Sequence, residues 1–164
     1  FQGSLTLSRD RQWGITTGLG WGYRSFRLGN NYAFRQIEGV TGIVPGVPDE
    51  EVYTKSRLRY FYFRIPVALE WQKRFSHSNA HGPLFFSAGL EAEIRHGAKS
   101  KAKVNGHKKN LDSGLNVHPV GINLLAQAGY GDIGVYLRYS TYSLFEHQKG
   151  PELYPYSFGL CWYW

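Results

Sequence analysis

The sequence predicts an all-β protein: an antiparallel, up-and-down transmembrane β-barrel of the eight-stranded type. Three observations carry this reading. Segments of two-residue periodicity recur along the chain, their large apolar residues share a face with most of the tryptophans, and the opposite faces hold glycine and charge. The clearest segment is Arg57 to Arg74. One of its faces carries Phe61, Phe63, Ile65, Val67, Leu69 and Trp71; the other carries Tyr60, Tyr62, Arg64, Ala68, Glu70 and Gln72. A soluble core rejects an unpaired Arg and Glu, whereas a barrel with lipid outside and a polar lumen inside accommodates both faces. A soluble sheet with water on its polar side shows the same alternation in any single strand, so the other strands must decide.

Composition narrows the class. The chain of 164 residues reads as one domain, residues 1–164. It has 20 glycines, 16% aromatic and 19% charged residues, a balance that suits an aromatic-rich β protein and not a disordered or helical one. No apolar run approaches the roughly 18 residues of a membrane helix. The mean hydropathy of -0.39 does not exclude membrane strands, whose lipid face is hidden in alternation. A formal charge of +7 suits nucleic acid, anionic lipid or an acidic polymer. The single Cys excludes an internal disulfide framework. Phe1-Gln2-Gly3-Ser4 resembles the remnant of a cleaved expression tag, and without an initiator Met or signal peptide the chain reads as mature, trimmed or cut from something longer.

Taken in order, Leu5 to Ser8 is a short alternating piece and Arg9 to Gln12 a tight polar turn. From Trp13 to about Leu28, large residues at Trp13, Ile15, Leu19, Trp21 and Tyr23 alternate with Gly14, Thr16, Gly18, Gly20 and Gly22. Glycine on the inner face suits a narrow barrel in which long side chains arrive from other strands. Gly29 to Lys55 reads as a long irregular loop, with a strand continuing at most to Phe34. After the Arg57 strand, Phe75 to Gly82 is a turn and Leu84 to Ile94 alternates again, with Glu91, Glu93 and then Arg95 on the polar face. His96 to Asn116 reads as a polar, basic loop. Ile122 to Tyr130 and Ile133 to Ser140 form a hairpin about Gly131-Asp132, and Tyr156 to Trp164 is the last strand. Short turns thus alternate with long polar loops, the organisation of an outer-membrane barrel. Trp13, Trp71, Trp162 and Trp164 fall on outward faces near the short-turn end, as one interfacial girdle; Tyr23, Phe61, Tyr139 and Tyr156 supply the other.

The segments Tyr62-Phe63-Arg64-Ile65-Pro66-Val67-Ala68-Leu69, Ala88-Gly89-Leu90, Ala128-Gly129-Tyr130-Gly131, Leu137-Arg138-Tyr139-Ser140 and Ser157-Phe158-Gly159-Leu160 give the chain its resemblance to a known family. From Trp13 to Trp164 it resembles the porin-like, or OmpA-like, outer-membrane β-barrel domains of Gram-negative bacteria. The alternate aromatics ending at Trp164 look like the signal that such proteins present to the barrel-insertion machinery. The resemblance implies a cell outer-membrane location with the C-terminus on the periplasmic side. One departure stands out: seven strands are counted where such barrels have an even number. The first strand is then missing or precedes Phe1; the alternative, a strand at Asn31 to Ile37, spoils the alternation of short and long connections.

The inward charges Arg64, Glu70, Glu91, Glu93, Arg95 and Arg138 are expected to neutralise one another and fill the lumen, leaving no wide channel. The competing reading, carboxylates poised for acid/base work, is the weaker one. Lys99, Lys101, Lys103, Lys108 and Lys109 form a candidate anion-binding loop facing outward from the cell, toward lipopolysaccharide phosphates and acidic glycans. Nucleic acid is not expected as a partner, because the aromatics are spread over two levels and form no stacking platform. Outer-membrane enzymes of this size include lipid A deacylases and acyltransferases. Here a catalytic pair would have to join His96, His118 or His147 to Ser100, Ser113 or Ser143, and no spacing specifies one. His77 and His81 flank a polar turn without further ligands, and Cys161 reads as a small inward thiol. No catalytic residue, metal or cofactor is assigned. The expected function is non-enzymatic, with a structural, surface-binding or complex-subunit role among outer-membrane lipid, lipopolysaccharide and other outer-membrane proteins. The alternatives are a lipid A-modifying enzyme and a soluble lipocalin-like ligand-binding barrel.

Overall fold

The computed structural model describes residues 2–7, 12–48, 50–73 and 82–162. Among them all regular structure is strand and every ladder is antiparallel. In chain order the strands are β1 (Gln2–Thr6), β2 (Trp13–Gly18), β3 (Gly20–Leu28), β4 (Tyr32–Ile37), β5 (Val40–Pro45) and β6 (Tyr53–Lys73). They continue with β7 (Leu84–Val104), β8 (His107–Ser113), β9 (Val120–Tyr130), β10 (Ile133–Ser140) and β11 (Tyr156–Trp162). One nine-stranded sheet follows the path β1-β2-β6-β7-β9-β10-β11, with β3 on β6 and β8 on β7; β4 and β5 form a separate hairpin. Gln2, Gly3 and Ser4, which read as a tag remnant, join the β1–β2 ladder.

The predicted strand from Trp13 to Leu28 is continuous in register, since Thr17 faces Val67 and Gly20 faces Arg64 across the interruption at Leu19. Two predicted loops are corrected. Gly29 to Lys55 contains the β4–β5 hairpin, and β6 already begins at Tyr53. His96 to Asn116 is mostly strand, because β7 runs for 21 residues to Val104 and turns through Asn105-Gly106 into β8. The sequence hides this extension behind a bulge. Phe61 faces His96 but Arg59 faces Lys99, so one extra residue sits on β7 at Gly97, whose φ of 64° glycine adopts without strain. Beyond the bulge the outward positions switch from even to odd numbers, and a simple period-two reading fails there. The predicted turn residues Arg9 to Arg11 and Phe75 to His81, with His77, His81 and Trp164, lie outside the described residues.

The polarity of the sheet is inverted relative to a soluble one. Phe61, Phe63, Ile65, Val67, Leu69, Leu90, Ile94, Leu124 and Leu137 are exposed on the outer face, while Glu91, Glu93, Arg95, Asn123 and Arg138 are buried on the inner face. The sheet curls until its two ends line one cavity, which collects Arg24 of β3, Tyr62 and Arg64 of β6, Arg138 of β10 and Ser157 of β11. Inner glycines make this possible. A Cβ on Gly20 would stand 2.6 Å from Arg64 Nε, and one on Gly22 would stand 2.7 Å from the Tyr62 hydroxyl.

The wall stays open at one seam. Among the described residues no ladder joins β11 to β1 or β3. The exposed large apolar residues of β6, β7, β9 and β10 range from 37% at Ile122 to 54% at Val135, whereas Tyr156, Phe158, Leu160 and Trp162 of β11 reach 66% to 78% and Trp21 of β3 reaches 73%. Among the described residues, no further strand is registered beside either margin of the seam.

At the long-connection end the interior is capped by an apolar cluster of Phe34, Leu58, Tyr60, Leu115, Leu144 and Phe145, with Phe26, Val117 and Leu153 against it. Phe34 and Phe145 rings meet at 5.8 Å, and the segment after β10 is pinned by Leu144 N donating to Leu153 O at 2.7 Å. The β4–β5 hairpin is tied to β6 where Arg35 donates to Glu51 at 3.0 Å and the Tyr53 hydroxyl donates to the same carboxylate at 3.0 Å; burial pushes that hydroxyl above its ordinary pKa. Phe145→Ala is expected to cost about 3–5 kcal/mol, read as a lower urea midpoint by tryptophan fluorescence, while the exposed Tyr154→Ala changes stability by less than about 1 kcal/mol.

Candidate functional site

Two arrangements of side chains carry potential function, one on each face of the wall. On the inner face, strand periodicity puts Glu91, Glu93 and Arg95 in a column on β7, and the neighbouring strands supply partners. Arg138 pairs with Glu91, Nη2 donating to Oε2 at 3.0 Å while Nε makes an ion-pair contact 2.7 Å from Oε1. Asn123 Nδ2 donates to Glu91 at 3.0 Å and lies 3.3 Å from Glu93, bridging the two carboxylates. Arg95 Nε donates to Glu93 at 2.8 Å, and its Nη2 reaches Ser140 Oγ at 3.2 Å. Arg64 completes the group at 3.9 Å from Glu91. Tyrosine faces cover the guanidinium groups: Arg138 lies 5.3 Å from the Tyr136 ring centroid and Arg95 5.9 Å from that of Tyr60.

Five of the sequence-predicted interior charges therefore meet, and the sixth does not. Glu70 lies nearer the short-turn end, where it accepts a hydrogen bond from Gln72 at 2.5 Å. Sequence reasoning missed Arg24, which reaches Glu93 at 3.3 Å and stacks on Tyr62 at 5.5 Å. Its signal was available: Arg24 continues the even-numbered inner face of Gly20 and Gly22.

On the outer face the predicted lysines stand in an ordered ladder, not a loose loop. Lys99, Lys101 and Lys103 face outward on β7; Lys103 is registered opposite Lys108 of β8. Lys109 is registered opposite Ala102 and pairs with Glu51 at 3.7 Å, and it lines a groove together with Lys101, Lys103 and Lys108. The sequence reading missed the cations contributed by neighbouring strands. Arg59 faces Lys99, Arg57 faces Lys101, Lys55 faces Lys103, and Arg27 of β3 faces Arg57. Like charges directly opposite in a ladder repel.

Of the four girdle tryptophans, Trp13, Trp71 and Trp162 lie on the outer face, and Trp164 lies outside the described residues. Trp13 is registered opposite Trp71, which stacks on Phe86 at 6.0 Å, and Trp162 stands opposite Ile133 at the same end. Trp13, Leu69, Trp71, Phe86, Val135 and Leu137 also line an outer apolar groove of about 690 Å³, floored by Ala88, Ala126 and Ala128.

The candidate Ser and His residues are dispersed differently. His96 stacks on Phe61 and Phe63 at the outer face, whereas Ser100 is buried on the inner face. His118, Ser143, Glu146 and His147 share a groove of about 300 Å³ at the long-connection end. There Ser143 Oγ accepts from Leu153 N at 3.3 Å and His118 Nδ1 accepts from Val120 N at 3.4 Å, with Lys149 holding the Glu146 carboxyl below its ordinary pKa. Cys161 lies on the inner face of β11, its Sγ 3.0 Å from where a Cβ on Gly134 would stand.

Removing one member of the interior network strands the others. Glu91→Ala is expected to lower the unfolding free energy by about 3–5 kcal/mol, and a Glu91→Ala/Arg138→Leu cycle in urea should return part of that loss as a coupling of about 1–3 kcal/mol.

Comparison with family models, with curated proteins and with solved structures finds no match to this chain.

Proposed function

We propose that this chain forms the wall of an eight-stranded-type, up-and-down β-barrel in the outer membrane of a Gram-negative bacterium, with a non-enzymatic role as a structural, surface-binding or complex-forming component. The inverted polarity of the sheet carries this reading: apolar side chains cover the outer face and paired charges fill the inner one. A lipocalin-like barrel requires an apolar interior, the opposite of this arrangement.

The dimensions agree. Phe61 to Trp71 spans about 33 Å of strand at 3.3 Å per residue, and at the roughly 40° tilt of barrel strands this covers about 25 Å, the height of an outer-membrane apolar band. Trp13, Trp71 and Trp162 then mark the periplasmic interface and Tyr23 and Phe61 the outer one. The open seam takes the eighth strand, running antiparallel to β1 and β11, which themselves run the same way. Lipid fills the outer groove, insertion passes through the barrel-insertion machinery, and the β4–β5 and β7–β8 hairpins present the extracellular surface to other outer-membrane proteins. The apolar cap and the charge network occupy the interior, which supports a lumen filled by side chains as in a barrel of about eight strands.

Gel mobility of detergent-extracted protein, unheated against boiled, tests the barrel. A faster unheated band is expected, because a barrel whose strand hydrogen bonds are all satisfied resists detergent. A folded protein that stays in solution without detergent and shows no shift would reverse inside and outside. In planar bilayers the folded protein is expected to give no conductance steps; steady steps of nanosiemens size would show that the cap does not seal.

A further inference from the structure

We infer that the outer wall formed by β3, β6, β7 and β8 binds the phosphorylated head group of a membrane glycolipid. The inference rests on the barrel reading above and adds a ligand class and a set of residues to it.

The cation ladder occupies a defined height. Moving along the outer face from the apolar band, the row Tyr23, Phe61, His96 is followed directly by Arg59 and Lys99, then by Arg27, Arg57 and Lys101, then by Lys55, Lys103 and Lys108. Three rows on four strands cover roughly 13 Å by 14 Å at the spacings of a sheet. No carboxylate stands in these rows. Among the described residues none of Lys55, Arg57, Lys99, Lys101, Lys103 and Lys108 lies within ion-pair distance of an Asp or Glu. Asp112 is registered opposite the buried Ser100, on the other face, and accepts from Gln36 N at 2.9 Å.

The base of the ladder is shaped for an amphiphile. Arg59 lies 5.2 Å from the Tyr23 ring centroid, and its Nε is buried without a hydrogen-bond partner. Immediately below, His96 stacks on Phe61 and Phe63, and Ile94 and Val120 continue the exposed apolar surface. Above, Arg57, Lys101 and Lys108 line a groove of about 390 Å³. A ligand that satisfies both levels carries several phosphates on a compact head and acyl chains beneath it. A soluble polyanion matches only the upper level.

The Gly97 bulge makes the site. Without its extra residue, Lys99, Lys101 and Lys103 would turn to the inner face.

The test uses the full chain in detergent micelles, on a sample that shows the heat-dependent mobility shift. Binding of bisphosphorylated lipid A and of its dephosphorylated form is compared by native mass spectrometry. The bisphosphorylated form is expected to bind more tightly, less so at high salt. The triple variant Arg57→Gln, Lys99→Gln, Lys101→Gln should weaken it about 100-fold at low salt, taking roughly fivefold for each basic residue at a membrane surface. Arg35→Gln, Lys73→Gln, Lys149→Gln removes the same charge elsewhere and should cost under about threefold. Equal loss in both variants, or equal affinity for the two lipids, overturns the inference while the mobility shift keeps the barrel reading intact. Equally tight binding of a soluble acidic polysaccharide that displaces the lipid also overturns it and assigns the ladder to a soluble polymer. Absence of the shift identifies failure of the barrel reading itself.

Discussion

Glu91 and Glu93 stand two residues apart on β7 with almost no contact with solvent, and the surrounding side chains answer the cost of holding two carboxylates there. Taking one ion out of water costs several kcal/mol even after relaxation, so partners must arrive with good geometry and satisfy the remaining lone pairs. Arg24, Arg64, Arg95 and Arg138 arrive from β3, β6, β7 and β10, and Asn123 from β9. These long side chains need room. Gly20 and Gly22 leave it beside Arg64 and Tyr62, and Gly121 leaves it beside Arg95. The glycine-rich strand and the charged strand are two halves of one packing solution.

This network determines which way the sheet faces. Once the inner surface is committed to paired ions, the apolar residues of the same strands must point outward, because neighbouring residues on a strand alternate faces. The outer surface then exposes a continuous apolar band from Trp13 and Trp71 to Tyr23 and Phe61, far larger than the patches that soluble monomers present. A lipid environment relieves that exposure under the proposed reading. It does not close the seam, where no ladder joins β11 to β1 or β3 among the described residues and where a strand edge in lipid needs a pairing strand.

Period-two alternation made most of this legible in the sequence. The strands about Phe61, Leu90, Leu124 and Leu137, the outward tryptophans and the meeting of Glu91, Glu93, Arg95 and Arg138 all follow from it. The two misread loops share one cause, loss of alternation. The bulge at Gly97 shifts the phase, so β7 and β8 looked like a basic loop, and the β4–β5 hairpin turns through Glu38-Gly39 amid residues that alternate poorly. Arg24 keeps the parity of Gly20 and Gly22, whose lack of side chains gives that face no charge pattern to extend. Glu70 has the right parity but the wrong height, and parity carries no information about height. Cations brought together by register, such as Arg57 and Lys101, are far apart in sequence, and only strand pairing reveals them.

The outer cations show how differently the two faces handle charge. Inside, guanidinium groups are matched to carboxylates and aromatic faces. Outside, Arg27 faces Arg57, Arg57 faces Lys101, Arg59 faces Lys99, and Lys103 faces both Lys55 and Lys108. Two unit charges about 5 Å apart repel by roughly 0.8 kcal/mol in water, and five such pairs would cost about 4 kcal/mol if the side chains stayed upright. Lysine splays into solvent and reduces that cost. Near a low-dielectric bilayer the water that screens the pairs is partly replaced, so repulsion grows where the rows approach the apolar band. Arg59 and Lys99, the row nearest that band, are therefore the pair most in need of an anion, and Arg59 also carries the buried, unbonded Nε. The row with the greatest electrostatic cost lies where phosphates of the outer leaflet would reach it under the membrane reading.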